Sequence, residues 1–118
     1  MMHIENFFPE KSLSKMFFCF PDPHFKKSHH RRRIVSKKLI VSYEKLLKPG
    51  GKIYCITDVK QLHDWHIQQF EDHPMFQQIE GDELENDPCV LLMQESTEEG
   101  KKVERNQGQK YYCAFQLK

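Results

Sequence analysis

Residues 16–58 read MFFCFPDPHFKKSHHRRRIVSKKLIVSYEKLLKPGGKIYCITD. The run begins one residue earlier: residues 15–20 form a short apolar stretch of the kind a strand buried in a parallel sheet shows. Pro21-Asp22-Pro23 ends it, because proline removes ladder donors. Apolar side chains then recur at Ile34, Val35, Leu39, Ile40, Tyr43, Leu46 and Leu47, close to an i, i+4, i+5 stripe. That spacing predicts an amphipathic helix over residues 34–47, with Ser36 capping its regular part. Lys48-Pro49-Gly50-Gly51 reads as a helix stop and a tight turn. Ile53-Tyr54-Cys55-Ile56 reads as a second buried strand, ending at Thr57-Asp58.

Outward from this segment the alternation continues. Residues 63–70 read as a helix, with Leu62, Trp65, Ile67 and Phe70 partly on one face and Pro74 just past its end. Residues 75–79 suggest a weak strand, 81–88 an acidic loop, and 90–93 a short apolar strand. A helix is expected from Thr97 to Asn106, with Thr97 as N-cap and Glu98 and Glu99 in the first turn, where carboxylates suit the helix dipole. Tyr111, Cys113, Phe115 and Leu117 alternate on one face of a closing strand. The predicted class is α/β, an open and mostly parallel sheet with crossover helices. Ligands of such sheets sit at the carboxyl ends of the strands, where both Asp22 and Asp58 fall.

A chain of 118 residues fits one small domain. Its net charge of +1 hides an asymmetry: residues 1–58 hold 12 Lys/Arg against 5 Asp/Glu, and residues 59–118 hold 6 against 12. The first half is the anion-facing half by this count. The four cysteines form no Cys-x-x-Cys pair, which argues against a zinc ribbon or a redox motif. Cys19, Cys55 and Cys113 sit in strand-like runs, where a reduced thiol behaves as a small hydrophobe, and a reducing compartment is the simplest inference. The seven histidines show no ligand spacing: His29 and His30 are adjacent, and His63 and His66 are three apart on a helix. No metal and no membrane span are expected, since no apolar run approaches about 18 residues.

The chemistry concentrates in residues 21–33. Asp22 stands between two prolines, and five Lys/Arg and two His follow between Lys26 and Arg33. Lys26, Lys27, Arg31, Arg32 and Arg33 are therefore candidate phosphate contacts, the main sequence-independent source of nucleic-acid affinity. A basic run is equally at home as a solvated surface or a localisation signal. The rigid acidic turn at a strand end favours a site that handles a polyanion. His24 and Phe25 either stack on a base or pack, and Trp65 fits a helix face better than a stacking platform.

Five motifs in order carry a resemblance to a known family: residues 20–33 around Pro-Asp-Pro-His-Phe-Lys-Lys, then Leu-Lys-Pro-Gly-Gly-x-Ile-Tyr, Ile-Thr-Asp-Val, Leu-His-Asp-Trp and Ser-Thr-Glu-Glu-Gly-Lys-Lys-Val. Together they resemble the eukaryotic tRNA (guanine-N7)-methyltransferases, from about His3 to Phe115. The resemblance implies the back half of a class I S-adenosylmethionine-dependent methyltransferase fold, Rossmann-like, with an antiparallel closing strand. It implies methylation of guanine N7 in the tRNA variable loop, a WD-repeat partner subunit, and a nuclear or cytoplasmic location. Asp22 matches the family's catalytic aspartate beside cofactor and guanine. Cys19, Thr97, Glu98 and Glu99 match cofactor-contacting positions. Lys26 and Asp58 match substrate-contacting positions.

The chain departs from the family by starting about halfway through it. The glycine-rich cofactor loop and the ribose-binding acidic residue do not occur in residues 1–118, which are expected to form a partial methyltransferase domain. Truncated in this way, the sheet is expected to expose residues 16–20 as an edge. Two functions remain open at the level of sequence: part of the methyltransferase, or an inactive RNA-binding or partner-binding module derived from it. An unrelated nucleic-acid protein with a chance basic run is the third.

Overall fold

The computed structural model describes residues 8–96 and 108–118. The expected helix over residues 97–106, with Thr97, Glu98 and Glu99, lies outside the described residues.

The described elements are β1 (Leu13–Cys19), a 3-10 turn (Lys27–Arg32), α1 (Lys37–Leu46), β2 (Leu47–Thr57), α2 (Lys60–Glu71), β3 (Phe76–Ile79), a single turn α3 (Asp82–Glu85), α4 (Pro88–Ser96) and β4 (Tyr111–Leu117). The strands form one open sheet in the order β1-β2-β4-β3. β1 and β2 are parallel, with Cys19 opposite Ile56. β4 runs antiparallel to both of its neighbours, β2 and β3. This is the mixed α/β sheet with an antiparallel closing strand that the sequence implies, except that β4 lies inside the sheet and β3 at its edge.

β2 is central and buried on both faces. Ile53 and Cys55 join Met16, Tyr43, Phe70, Cys113 and Phe115 in the core beneath α1 and α2. Tyr54 and Ile56 face the other way, into a smaller cluster with Val90, Met93 and Ala114 beneath α4. The sheet thus has helices on both faces, which explains why β2 reads as a continuous apolar run. On the opposite side of β2 from β4, β1 is the outer strand among the described residues, and Phe17 remains 46% exposed there although it stacks on Tyr54 at 5.0 Å.

The first helix is shorter than the stripe suggests. Ser36 takes the N-cap, its hydroxyl accepting from Leu39 N at 3.3 Å. Ile34 and Val35 precede it as buried or half-buried lead-in, and their carbonyls accept from Tyr43 Oη (2.7 Å) and Trp65 Nε1 (2.7 Å). The Lys48–Gly51 turn is absorbed into β2 as a bulge: Leu13 pairs with Leu47, but Lys15 pairs with Lys52. Gly50 has φ +82°, and a Cβ on Gly51 would lie 2.9 Å from the Lys48 carbonyl, so both glycines are required by the turn.

Residues 90–93 are not a strand. They belong to α4, which starts at Pro88 with the Asp87 carboxylate accepting from Cys89 N at 2.9 Å. Asp followed by Pro is a helix-start signal that outweighs a four-residue apolar run, and burial of Val90 and Met93 with exposure of Leu91 and Leu92 is helical, not alternating. The other Asp87 oxygen accepts from Tyr54 Oη at 2.6 Å, joining α4 to the sheet. Burial works to raise the Asp87 pKa, but the Tyr54 phenol and the Cys89 amide hold it below the usual carboxylate range.

Candidate functional site

The parallel strands β1 and β2 end side by side, and the Phe20 amide donates to the Ile56 carbonyl at 2.8 Å just beyond the last pair. Asp22 and Asp58 both emerge at this rim, and both are exposed. Cys19, the last residue of β1, is exposed there too. The structure therefore brings Cys19, Asp22 and Asp58 to one edge of the sheet.

The turn that carries Asp22 is unusually constrained. Phe20 (φ 52°) and His24 (φ 43°), on either side of Pro21-Asp22-Pro23, both adopt the left-handed region. Bulky residues rarely hold that conformation unless their surroundings impose it, and such strain gathers at functional sites. The Asp22 carboxylate accepts from His24 N at 2.9 Å, closing an Asx turn. Its side chain is still 72% exposed. A carboxylate fixed in direction yet open to solvent is prepared to meet a ligand.

Immediately after it the chain forms the 3-10 turn. Lys27, Arg31 and Arg32 are exposed on it, Lys26 just before it is exposed too, and Phe25 is 64% exposed. The four cations and one open aromatic ring follow directly on the aspartate.

Arg33 is not with them. Grouped by sequence with the phosphate contacts, it is 1% exposed. Its Nε donates to the Pro23 carbonyl at 2.7 Å, and its guanidinium sits 4.8 Å from the centre of the Trp65 ring. Trp65 in turn donates to the Val35 carbonyl, and His30 meets its edge at 5.5 Å. The buried guanidinium thus ties the far end of the Pro-Asp-Pro turn to α2. Five consecutive cations and histidines gave no sign of which one turns inward; only the packing of α2 against the loop decides it. Trp65 is a packing residue, as its helical position suggests.

A second polar group lies behind the rim, inside the sheet. Cys55 and Cys113 are direct partners across β2 and β4. His66 from α2 approaches them, and the ligand atoms of the three lie within 4.8 Å of one another, all buried. Burial pushes the His66 pKa down to about 4, with His63 and Arg33 adding to the shift. The folded protein therefore holds His66 neutral, whereas the unfolded chain protonates near 6.5. Stability from this residue is complete above pH ~6.5 and is lost as the pH falls through 4, about 3 kcal/mol in all. Urea unfolding in a chelating buffer is expected to show this limb between pH 6.5 and 4, and His66→Leu to flatten it. The spacing of two cysteines 58 residues apart carried no signal of this cluster; the register of β2 and β4 creates it.

A family described as "Putative methyltransferase" matches residues 1–113. The chain belongs to this methyltransferase family. Among relatives of the chain, a Podospora anserina protein is 53% identical over 115 residues, 98% of this chain and 40% of the relative. A Lodderomyces elongisporus protein is 49% identical over 115 residues (98% of this chain, 38% of the relative), and one from Yarrowia lipolytica 48% over 118 residues (100% and 40%). All three relatives are named tRNA (guanine-N(7)-)-methyltransferase. The chain spans about 40% of the length of the curated relatives it matches. Methyltransferases of this family point generally to S-adenosylmethionine as methyl donor. At the strand ends a thiol, Cys19, and a carboxylate, Asp22, are both open to solvent.

Proposed function

We propose that this chain forms the guanine-facing and RNA-facing part of a tRNA (guanine-N7)-methyltransferase. The observation that carries the proposal is the Asp22 turn: a solvent-facing carboxylate on a strained, doubly anchored loop, at a parallel-strand rim, directly followed by exposed Lys26, Lys27, Arg31 and Arg32.

The chemistry suits these residues. Guanine N7 carries a lone pair and no proton at neutral pH, so its methylation needs no general base. It needs N7 held in line with the methyl group, which can lower the barrier by several kcal/mol. Cys19 and Asp22 would line the site for S-adenosylmethionine, which would supply the methyl group from its sulfonium. The Asp22 carboxylate either accepts from the guanine N1–H and N2–H₂ edge, which adenine lacks, or stabilises the positive charge that develops on the ring. Asp58, on the neighbouring strand end, contributes a second carboxylate to substrate contact. Thr97, Glu98 and Glu99 are assigned to the cofactor on resemblance alone. Lys26, Lys27, Arg31 and Arg32 neutralise tRNA phosphates, and Phe25 offers a face for a base. The same proposal carries a WD-repeat subunit as partner, tested by co-purification, and the nucleus as the place of action, tested by imaging a tagged protein.

The deciding experiment places this chain in the Podospora anserina relative in exchange for the segment it matches. Methylation of guanine N7 in tRNA by that hybrid supports the proposal. A folded hybrid that binds tRNA and transfers no methyl group rejects it in favour of the RNA-binding module.

Binding alone makes a further prediction. The logarithm of tRNA affinity is expected to fall linearly with the logarithm of salt concentration. Alanine at Lys26, Lys27, Arg31 or Arg32 should each reduce the slope by about 1. Filter binding across a salt series measures it, and unchanged slopes in all four variants would remove these side chains from the interface.

A further inference from the structure

The geometry points to a structural zinc site at the Cys55–His66–Cys113 cluster, held between α2 and the two central strands. Three observations support it. The donor set is the one zinc takes: two thiol sulfurs and an imidazole nitrogen. The donor atoms lie within 4.8 Å of one another, against roughly 3.5–3.8 Å between ligand atoms around a tetrahedral zinc ion, so contraction of about 1 Å completes the site. The cluster also holds unspent hydrogen-bonding capacity. His66 is 1% exposed, yet its Nδ1 has no partner, and neither does the buried Nδ1 of His63. Buried polar atoms of this kind are few in folded proteins and call for a ligand or an ion.

His63 lies one turn before His66 on α2, with its ring stacked on Tyr111 at 5.6 Å. It stands outside the three-donor cluster, and a move of its side chain toward His66 would let it close the fourth position. The charge balance is also favourable. Zn²⁺ binding releases the two thiol protons to solvent, and the ion with two thiolates and neutral imidazoles is uncharged overall, which burial tolerates. Such an ion fastens α2 to β2 and β4 two to three residues behind the Thr57–Asp58 end of the sheet. The inference does not depend on the methyltransferase reading.

The test uses the 118-residue protein, reduced and then freed of metal by a chelator. Titration with Co²⁺ is expected to saturate at one equivalent, with thiolate-to-cobalt charge-transfer absorption and the intense visible bands of tetrahedral cobalt, and Zn²⁺ should abolish both. Zinc at about a hundredfold above its Kd should raise Tm by roughly 10 °C. Cys55→Ser, Cys113→Ser and His66→Leu are expected to weaken binding by more than 100-fold, and His63→Gln by about 10–100-fold. Cys19→Ser and Cys89→Ser should leave it unchanged. The Tm and cobalt spectra of the unsubstituted protein need no variant to fold. Absence of the charge-transfer band, loss of the signal in Cys19→Ser or Cys89→Ser, or a Cys55–Cys113 disulfide that persists under the reductant would each overturn the site.

Discussion

Asp22→Asn is expected to lower guanine-N7 methylation in the hybrid enzyme by about 10²–10³-fold, with no change in its unfolding midpoint. The substitution is chosen because it separates charge from shape. The Asn side chain keeps an oxygen to accept from His24 N, so the turn that Asp22 closes at 2.9 Å survives. Stability is spared because the side chain is 72% exposed and buries nothing. What disappears is the negative charge. If Asp22 reads the guanine edge, the loss appears mainly as a raised KM, since the amide offers one acceptor where the carboxylate offers two. If it stabilises the developing ring charge, the loss falls on kcat with KM unchanged. Steady-state kinetics with a guanine-containing tRNA substrate distinguishes the two. Wild-type kcat and KM in a folded Asn variant would remove Asp22 from the reaction altogether.

Arg33→Leu is expected to destabilise the protein by about 3 kcal/mol, the largest stability effect among the basic residues of the 26–33 run. Three losses combine. The Pro23 carbonyl loses its donor at 2.7 Å, the Trp65 ring loses its cation at 4.8 Å, and a side chain of different shape occupies a fully buried site. Arg33→Lys is not expected to rescue it, because a lysine cannot both stack on the indole and donate in the plane of the guanidinium. Urea denaturation measures the effect directly. The same variant should leave the salt slope of tRNA binding unchanged, unlike its four exposed neighbours. A reduced slope with unaltered stability would place Arg33 on the surface after all.

Much of the fold is legible in the chain. The apolar runs at residues 15–20 and 53–56 mark two strands, of which β2 is buried on both faces while β1 buries only Met16 fully, and the stripe from Ile34 to Leu47 marks the crossover helix between them. The alternation from Tyr111 to Leu117 marks the fourth strand. Residues 90–93 mislead because four apolar residues have no periodicity to read; the Asp87-Pro88 pair just before them carried the correct signal. The helix start at Lys37, three residues inside the apolar stripe, follows from Ser36, whose hydroxyl accepts from the otherwise orphan Leu39 amide.

The candidate site divides in the same way. Sequence by itself determined that a carboxylate stands at a strand end, between prolines, ahead of a row of cations, because those are local properties of consecutive residues. Tertiary structure alone decided which cations face outward. Arg33 differs from Arg32 only in the direction its position takes off the 3-10 turn, and that direction is set by α2 packing beneath it. It alone assembled Cys55, His66 and Cys113, since a strand pairing 58 residues apart and a helix crossing it leave no local pattern. Spacing is fixed along the chain, but proximity is created by register and packing, and only the folded sheet supplies those.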